Sequence, residues 1–286
     1  MKNLSLLILT LVSLFLQAQS PWLPSKNGFF VQASYTTIPE YSTLFTKSGD
    51  VFETSRLIKD KTLQVYGEYG ISDKIALHIS VPFKLLNSGS INQNFAGDLN
   101  QAPNASTENA LGNIQTSVKY KLRDGKWVSA AQFRIELPAS SQGEVSGLKP
   151  GYNAWAFSPL INIGRGWNKT YFFYYLSGIW RTNQYSTYLN TGIEGGWKAF
   201  NPIWLIFYSE FLNSFENGNK PLPPPEKQFG LYSNDLEYFS FGLKIIYETA
   251  VNEQLNLGLI AHASGSFSGF AVAHAPLVSL GLYLKK

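Results

Sequence analysis

Cysteine is absent from this chain of 286 residues, which excludes disulfides, thiolate zinc sites and cysteine nucleophiles. Charged residues are few, at 15%, where globular domains carry about 25%. Long apolar runs are also missing after position 18. The mean hydropathy of −0.08 is too polar for a bundle of membrane helices. These absences leave a soluble β-sandwich or a β-barrel, whose strands turn alternate residues to lipid and to a polar lumen.

The N-terminal segment, positions 1–18, has the three-part pattern of a secretory signal peptide. Lys2 gives a basic start, an apolar run follows from Leu4 to Leu16, and Ala18 offers a small residue for cleavage. This run is too short to cross a bilayer as a helix, which needs about 20 residues. We therefore predict a signal peptide at residues 1–18 and one mature domain at residues 19–286.

The mature chain alternates strand-length segments with connections of two kinds. The connections after the second, fourth, sixth, eighth and tenth segments are short, whereas residues 39–60, 85–110, 139–151 and 214–235 form long ones. Outer-membrane barrels show this asymmetry, with tight periplasmic turns and long outer loops. The predicted strands are 28–38, 61–70, 74–84, 111–122, 127–138, 152–164, 170–181, 187–198, 203–213, 236–248, 254–265 and 275–284.

The Asp-Gly pair at positions 124 and 125 predicts a register for one hairpin. Asp-Gly favours a two-residue type I′ turn, which would place Leu122 opposite Trp127 and Val118 opposite Ala131. The face containing these residues is mostly apolar. The other face is largely polar, and a soluble core would not tolerate so many unpaired polar groups, whereas a wet lumen would. Its residues are Lys121, Lys119, Ser117, Gln115 and Asn113, opposite Val128, Ala130, Gln132, Arg134 and Glu136.

These patterns predict an all-β fold, a transmembrane antiparallel up-and-down β-barrel of about 12 strands. Both chain ends then lie at the periplasmic side, and the many aromatic residues (16 Tyr, 20 Phe and 7 Trp) suit interfacial girdles. Strands 152–164 and 170–181 are apolar on both faces, so their inward side stays open. We expect a bacterial outer-membrane protein that contacts outer-membrane lipid and is inserted by the barrel assembly machinery. The pattern does not indicate an oligomeric state.

The fourth and fifth predicted strands resemble a family of outer-membrane transporters linked to the meta-cleavage pathway of phenol degradation. The resemblance rests on a Leu-Gly-Asn-Ile segment at 111–114, a Lys-Tyr-Lys-Leu segment at 119–122, Leu137–Pro138 and Gly143. Asn113 departs from the Asp usual in the family, and Lys121 departs from the usual Arg. The resemblance implies a barrel that passes small hydrophobic or aromatic compounds.

Charged residues on the predicted inward faces are the candidate site of this protein. They would either line a pore and set its ion preference, or pair across the lumen and close it. No metal site or cofactor is indicated, and no Lys or Arg run suggests nucleic acid. The candidates are Glu68, Lys119, Arg134, Glu136, Glu194, Glu210, Lys244 and Glu248.

Three functional hypotheses follow from the pattern. The first is a channel or transporter for small-molecule solutes, and the second is a structural or secretion-accessory barrel. The third is a lipid hydrolase using His262 and Ser264, which lie two apart on one face of a strand; outer-membrane phospholipase A is similar in this pairing. The neighbours of these two residues lack the third group that such a site needs, so we predict no catalytic residue and no enzyme.

Overall fold

The structure is a computed structural model that describes residues 19–139, 146–221, 223 and 229–286. The predicted signal peptide at 1–18 lies outside the described residues, as do Gly143 and parts of the predicted loops 139–151 and 214–235. Among the described residues, no helix has the length and apolar composition required to cross a membrane.

Thirteen strands of the described chain form one antiparallel sheet that closes on itself. β1 pairs with both β2 and β13, and β2 also pairs with β3, so the sheet has no free vertical edge. The strands are β1 (Phe29–Phe45), β2 (Val51–Ser72), β3 (Ile75–Ile91), β4 (Ser106–Leu111), β5 (Gln115–Arg123), β6 (Val128–Glu136), β7 (Ala156–Gly166), β8 (Thr170–Arg181), β9 (Tyr188–Phe200), β10 (Ile203–Ser214), β11 (Glu237–Ala250), β12 (Asn256–Phe270) and β13 (Leu277–Lys285).

β4 and β5 together make one interrupted strand, so the barrel is effectively 12-stranded. β4 pairs with residues 83–88 of β3, and β5 pairs with residues 75–80 of the same strand. Between them Asn113 leaves the ladder: its amide donates to the carbonyls of Leu137 and Tyr152, both at 2.7 Å. Pro82 of β3 has no N–H to offer the ladder here, and its carbonyl accepts from Gly112 at 2.9 Å. The predicted strand 111–122 therefore corresponds mainly to β5, and nearly all of β4 falls within the predicted loop 85–110.

The predicted barrel is confirmed, and its longest connections all lie at one end, although the connection 46–50 at that end is no longer than 251–255 at the other. Tight turns, such as 73–74 and 201–202, join the strands at one end, which we call the short-turn end. Longer connections, such as 92–105 and 215–236, join them at the other, the long-loop end. The start of β1 and the end of β13 meet at the short-turn end, where Phe30 pairs with Lys285.

Two predicted outer loops are wrong in extent. β1 continues to Phe45 and β2 begins at Val51, so the predicted loop 39–60 is mostly a hairpin. β3 continues to Ile91, well into the predicted loop 85–110. The alternation of apolar and polar residues marks only wall that touches lipid, and these extensions are polar enough to stand in water.

The predicted register at positions 124–125 is also wrong, by two residues. Val118 pairs with Phe133 rather than Ala131, and the connection spans positions 124–127 instead of the Asp-Gly pair alone. The four-residue connection accounts for the difference, and a bulge near Arg123 adds one further residue on β5. Because strand faces repeat every two residues, this slip leaves the face assignment intact. Lys119 is fully buried and Val118 is 50% exposed, as the face pattern predicts.

The outer face is apolar between the short turns and the polar extensions of β1, β2 and β3. Tryptophans stand near both rims: Trp155 and Trp180 at the long-loop end, and Trp127, Trp167 and Trp197 at the short-turn end. Such belts form at the two membrane–water interfaces of a barrel. The structure also decides the inward side of the two ambiguous strands. Ser158, Leu160 and Asn162 of β7 and Phe173, Tyr175 and Ser177 of β8 face inward.

Candidate functional site: the barrel interior

The interior face of the barrel carries charged side chains held in ion pairs. Lys119 Nζ lies 2.5 Å from Glu68 Oε1, and Lys244 Nζ lies 2.6 Å from Glu194 Oε2. Lys84 Nζ lies 2.9 Å from both carboxylate oxygens of Asp60. Charges taken out of water require such partners, because an unpaired buried charge is costly.

Two cavities lie between the described residues of the interior, one near each end. The short-turn chamber has a volume of about 590 Å³, and its wall includes Glu68, Glu194, Lys244 and Glu248. The long-loop chamber has a volume of about 150 Å³. Its polar wall contains Asp60, Lys84, Glu136 and Arg181, and its opposite wall is apolar: Ile38, Leu44, Leu212, Leu236 and Leu277.

A middle band of polar side chains separates the two chambers. On β10, for example, Tyr208 and Glu210 lie between Ile206 of the short-turn chamber and Leu212 of the long-loop chamber. Glu210 Oε1 accepts from Asn190 and Tyr238, both at 2.9 Å, while Oε2 is buried without a partner in the described chain. The middle band consists of His78, Lys119, Gln132, Arg134, Asn162, Tyr175, Asn190, Tyr208, Glu210 and His262.

The structure places all eight sequence-predicted candidates on the inner face, at three heights. Four line the short-turn chamber, Lys119, Arg134 and Glu210 belong to the middle band, and Glu136 lines the long-loop chamber. Glu248 bonds to Lys285, 2.6 Å away, and to Tyr283, and both partners also line this chamber. The candidates therefore do not form one cluster, and the ion pairs among them are Glu68 with Lys119 and Glu194 with Lys244.

The segment before β1 enters the short-turn end of the interior. Asn162 donates to the carbonyls of Gln19 and Ser20, at 2.8 and 3.1 Å. Trp22 packs edge-on against Tyr171 and Phe173, with ring centroids 5.6 and 6.1 Å apart. Gln19 is almost fully buried. The segment therefore narrows the route between the short-turn chamber and the middle band.

Loop residues cover the long-loop chamber. Tyr232 lies edge-on to Tyr152, with centroids 5.1 Å apart, and Lys84 Nζ lies 5.9 Å from the Tyr232 ring. Burial raises the pKa of Tyr232 to about 12, with Lys84 opposing and Asp60 adding to the shift. The hydroxyl is thus neutral at physiological pH. Leu148 and Phe229 belong to an apolar cluster with residues of β1 and β2 and are fully buried.

His262 and Ser264 do not form a catalytic pair in this arrangement. His262 Nε2 lies 2.6 Å from the hydroxyl of Tyr208. Ser264 Oγ is buried and has no hydrogen-bond partner within the described residues. A serine nucleophile needs a hydrogen bond to its base, so this geometry does not favour hydrolysis. Nor do any three His, Cys, Asp or Glu side chains of the described chain cluster to hold a metal ion.

Several interior residues escaped the sequence reasoning. Asp60 fell in a predicted loop, and Arg181 at a predicted strand end, so neither was assigned a face. The interior tyrosines escaped because aromatic residues were assigned to the outer girdles. If the alternation of inward and outward residues had been extended to the observed end of β8, it would have placed Arg181 on the inner face. The overlooked tyrosines are Tyr66, Tyr175 and Tyr208, whereas the alternation along the last strands does place Tyr238 and Tyr283 on the inner face.

No protein-family model matches the chain, and no curated protein matches it. Several solved structures, in contrast, superpose on the chain. An outer-membrane channel from Pseudomonas putida F1 superposes with a TM-score of 0.68 at 11% identity, covering 96% of this chain and 100% of that one. The NanC porin superposes at 0.48 with 8% identity over 90% and 98% of the two chains. The toluene transporter TodX of Pseudomonas putida superposes at 0.42 with 9% identity over 92% and 90%. The first similarity shows that the fold is that of a transmembrane outer-membrane barrel.

Proposed function

We propose that this protein is a bacterial outer-membrane channel for small solutes. The carrying observation is a transmembrane barrel whose interior holds two chambers, of about 590 and 150 Å³, on either side of a polar middle band. Both chambers combine aromatic rings with charged groups. That lining suits small solutes with an apolar or aromatic part, the class that the family resemblance also implies. The charged candidates then line the solute's route and set its preference.

The same proposal covers export and placement. Residues 1–18 act as the signal peptide, and residues 19–286 form the mature barrel, folded by the barrel assembly machinery into outer-membrane lipid. The short-turn end faces the periplasm and the long loops face outward, as in bacterial barrels of this type.

Conductance in planar bilayers tests the channel function directly. The refolded wild type should give discrete current steps, and a membrane that stays sealed would contradict the proposal. A matched cysteine pair on β2 tests whether current flows through the interior, since the chain has no cysteine of its own. Thr62 lines the long-loop chamber, whereas its neighbour Leu63 faces lipid and is 48% exposed. A charged thiol reagent should reduce the current of Thr62→Cys and leave Leu63→Cys unchanged.

A further inference from the structure

Arg165 is a cation on the outer, lipid-facing side of the wall. The other outward residues of β7 are apolar, such as Ile161 and Ile163 at 52% and 42% exposed, and Arg165 continues their alternation at the short-turn end. Its guanidinium carbon lies 5.8 Å from the ring centroid of Trp127 and 5.0 Å from that of Trp167. These rings attract a cation, but they offer no oxygen to the five N–H donors of the guanidinium. They therefore hold the charge in place without satisfying its hydrogen bonds.

No described residue accepts a hydrogen bond from this guanidinium or forms an ion pair with it. Two more cations at the same rim are in this condition. Arg123 ends β5 and pairs with the outward-facing Ser129, and Lys169 lies in the turn between β7 and β8. The carboxylate that lies in these turns, Asp124, is already bonded to Lys121, 3.1 Å away. Three neighbouring cations therefore lack an anion within the described chain.

These cations and the two rings form one continuous surface, which we call the rim patch. β6 pairs with β7 from its first residue onward, so the turn that ends in Trp127 lies directly beside Arg165 and links the two hairpins. At the other end of β6, β7 and β8, no lysine or arginine of the described chain faces outward, and Trp155 and Trp180 mark that rim. In this sector the outward positive charge is thus confined to the short-turn end. The rim patch consists of Arg123, Trp127, Arg165, Trp167 and Lys169.

The surface next to the rim patch is apolar and suits an acyl chain. Phe172 of β8 pairs with Arg165, and Ile163 is the next outward residue of β7. A phospholipid presents its phosphate at the membrane–water interface and lays its chains along such a wall. Arginine binds a phosphate through two parallel hydrogen bonds, which would satisfy the donors that the rings leave free.

The charge of the rim patch selects the kind of headgroup. Cations at a membrane surface attract anionic lipids. A choline headgroup carries a cation of its own, and the aromatic rings that would receive it already hold Arg165. The three unpaired cations are therefore matched by a headgroup of net negative charge, such as phosphatidylglycerol, and not by phosphatidylcholine.

We propose that the rim patch is a binding site for one anionic phospholipid of the phosphatidylglycerol class. The phosphate accepts hydrogen bonds from Arg165, while Arg123 and Lys169 add positive charge on either side. An acyl chain packs along Ile163 and Phe172. The inference goes beyond the proposed channel, because it depends on the place of the barrel in a membrane and not on conduction.

Native mass spectrometry of the refolded barrel tests this site by counting the lipids that stay bound when detergent is removed. The barrel is mixed in nonionic detergent with equal amounts of dioleoyl phosphatidylglycerol and dioleoyl phosphatidylcholine. The wild type should retain one phosphatidylglycerol at least tenfold more often than phosphatidylcholine. Arg165→Gln should lower the fraction with phosphatidylglycerol at least fivefold and leave the fraction with phosphatidylcholine unchanged. Arg165→Lys keeps the charge but loses the two-bond geometry, so it should give an intermediate fraction.

Lys74→Gln is the matched control, because it removes a cation from another exposed turn of the same rim. It should keep the wild-type retention of phosphatidylglycerol. An equal loss in Lys74→Gln and Arg165→Gln would overturn the site, because the overall charge of the rim would then attract the lipid. Equal retention of the two lipids by the wild type would overturn it as well, and this comparison needs no variant to fold. Displacement of phosphatidylglycerol by inorganic phosphate, at an ionic strength matched with chloride, would overturn the assignment to a lipid. A conducting barrel that retains neither lipid refutes this inference and leaves the channel proposal standing.

Discussion

Lys119 of β5 and Glu68 of β2 meet inside the barrel, with Nζ 2.5 Å from Oε1, although β3 lies between their strands. The pair crosses β3 above Ala76, which is fully buried and has no bulk to separate them. This is also the height at which β3 pairs with β5, below the part where it pairs with β4. The ion pair therefore links β2 to β5 across β3, at the lower half of the interrupted strand that β4 and β5 form.

Lys119→Met should destabilise the barrel strongly, because it leaves the Glu68 carboxylate buried without its partner. Loss of one member of a buried pair costs about 3–5 kcal/mol. Urea unfolding in lipid vesicles measures the change. Glu68→Gln combined with Lys119→Met should recover at least half of the loss, since no unpaired charge remains. Lys126→Met, in an exposed turn, serves as control. An unaltered unfolding midpoint in Lys119→Met would show that water, not Lys119, solvates Glu68.

The segment that contains Trp22 should restrict current through the short-turn end. Trp22→Ala removes the ring that packs on Tyr171 and Phe173, and Asn162→Ala removes both side-chain donors to the segment. Each variant should raise single-channel conductance because the route widens. Trp197→Ala, on the lipid face, should keep the wild-type value. If the two interior variants also keep that value, the segment lies outside the conducting route.

Paired cysteines should report the observed register of β5 and β6. Val118→Cys with Phe133→Cys places the two Cβ atoms directly opposite, about 4.5–5.5 Å apart, within reach of a disulfide. Val118→Cys with Ala131→Cys is a diagonal pair at about 7–8 Å and should crosslink poorly. Peptide mass spectrometry without reductant counts the crosslinked fraction. More crosslinking in the Val118→Cys with Ala131→Cys variant would instead support the predicted two-residue turn at positions 124–125.

Leu280 should tolerate no charge, because it faces the lipid midway along β13 and is 61% exposed. Leu280→Arg should cost about 2–4 kcal/mol, the range for arginine at the bilayer midplane of a barrel. Val251→Arg, in a short turn outside the strands, should cost at most about 1 kcal/mol. Folding yields in lipid vesicles over a urea series measure both. Equal costs would mean that the face of Leu280 does not contact lipid.

Strand identity could be read from the sequence because lipid and lumen impose opposite demands on alternate residues. The faces of β3, β5, β11 and β13 all agree with that alternation. The alternation ended where the wall leaves the membrane, so the upper parts of β1, β2 and β3 were taken for loops. Register failed at positions 124–127 because a shift of two residues keeps each face unchanged, and face chemistry therefore cannot detect it.

For the site, the sequence predicted only which side chains face the interior of the barrel. Parity alone placed Glu68, Arg134 and Glu210 inside, but their partners lie on strands distant in the sequence, as Glu68 and Lys119 illustrate. The chain's local pattern by itself determined the barrel class, the sorting of its connections by end and the inward polarity. Only the tertiary structure decided the register, the ion pairs across strands and the two chambers, because these depend on how the closed sheet brings distant strands face to face.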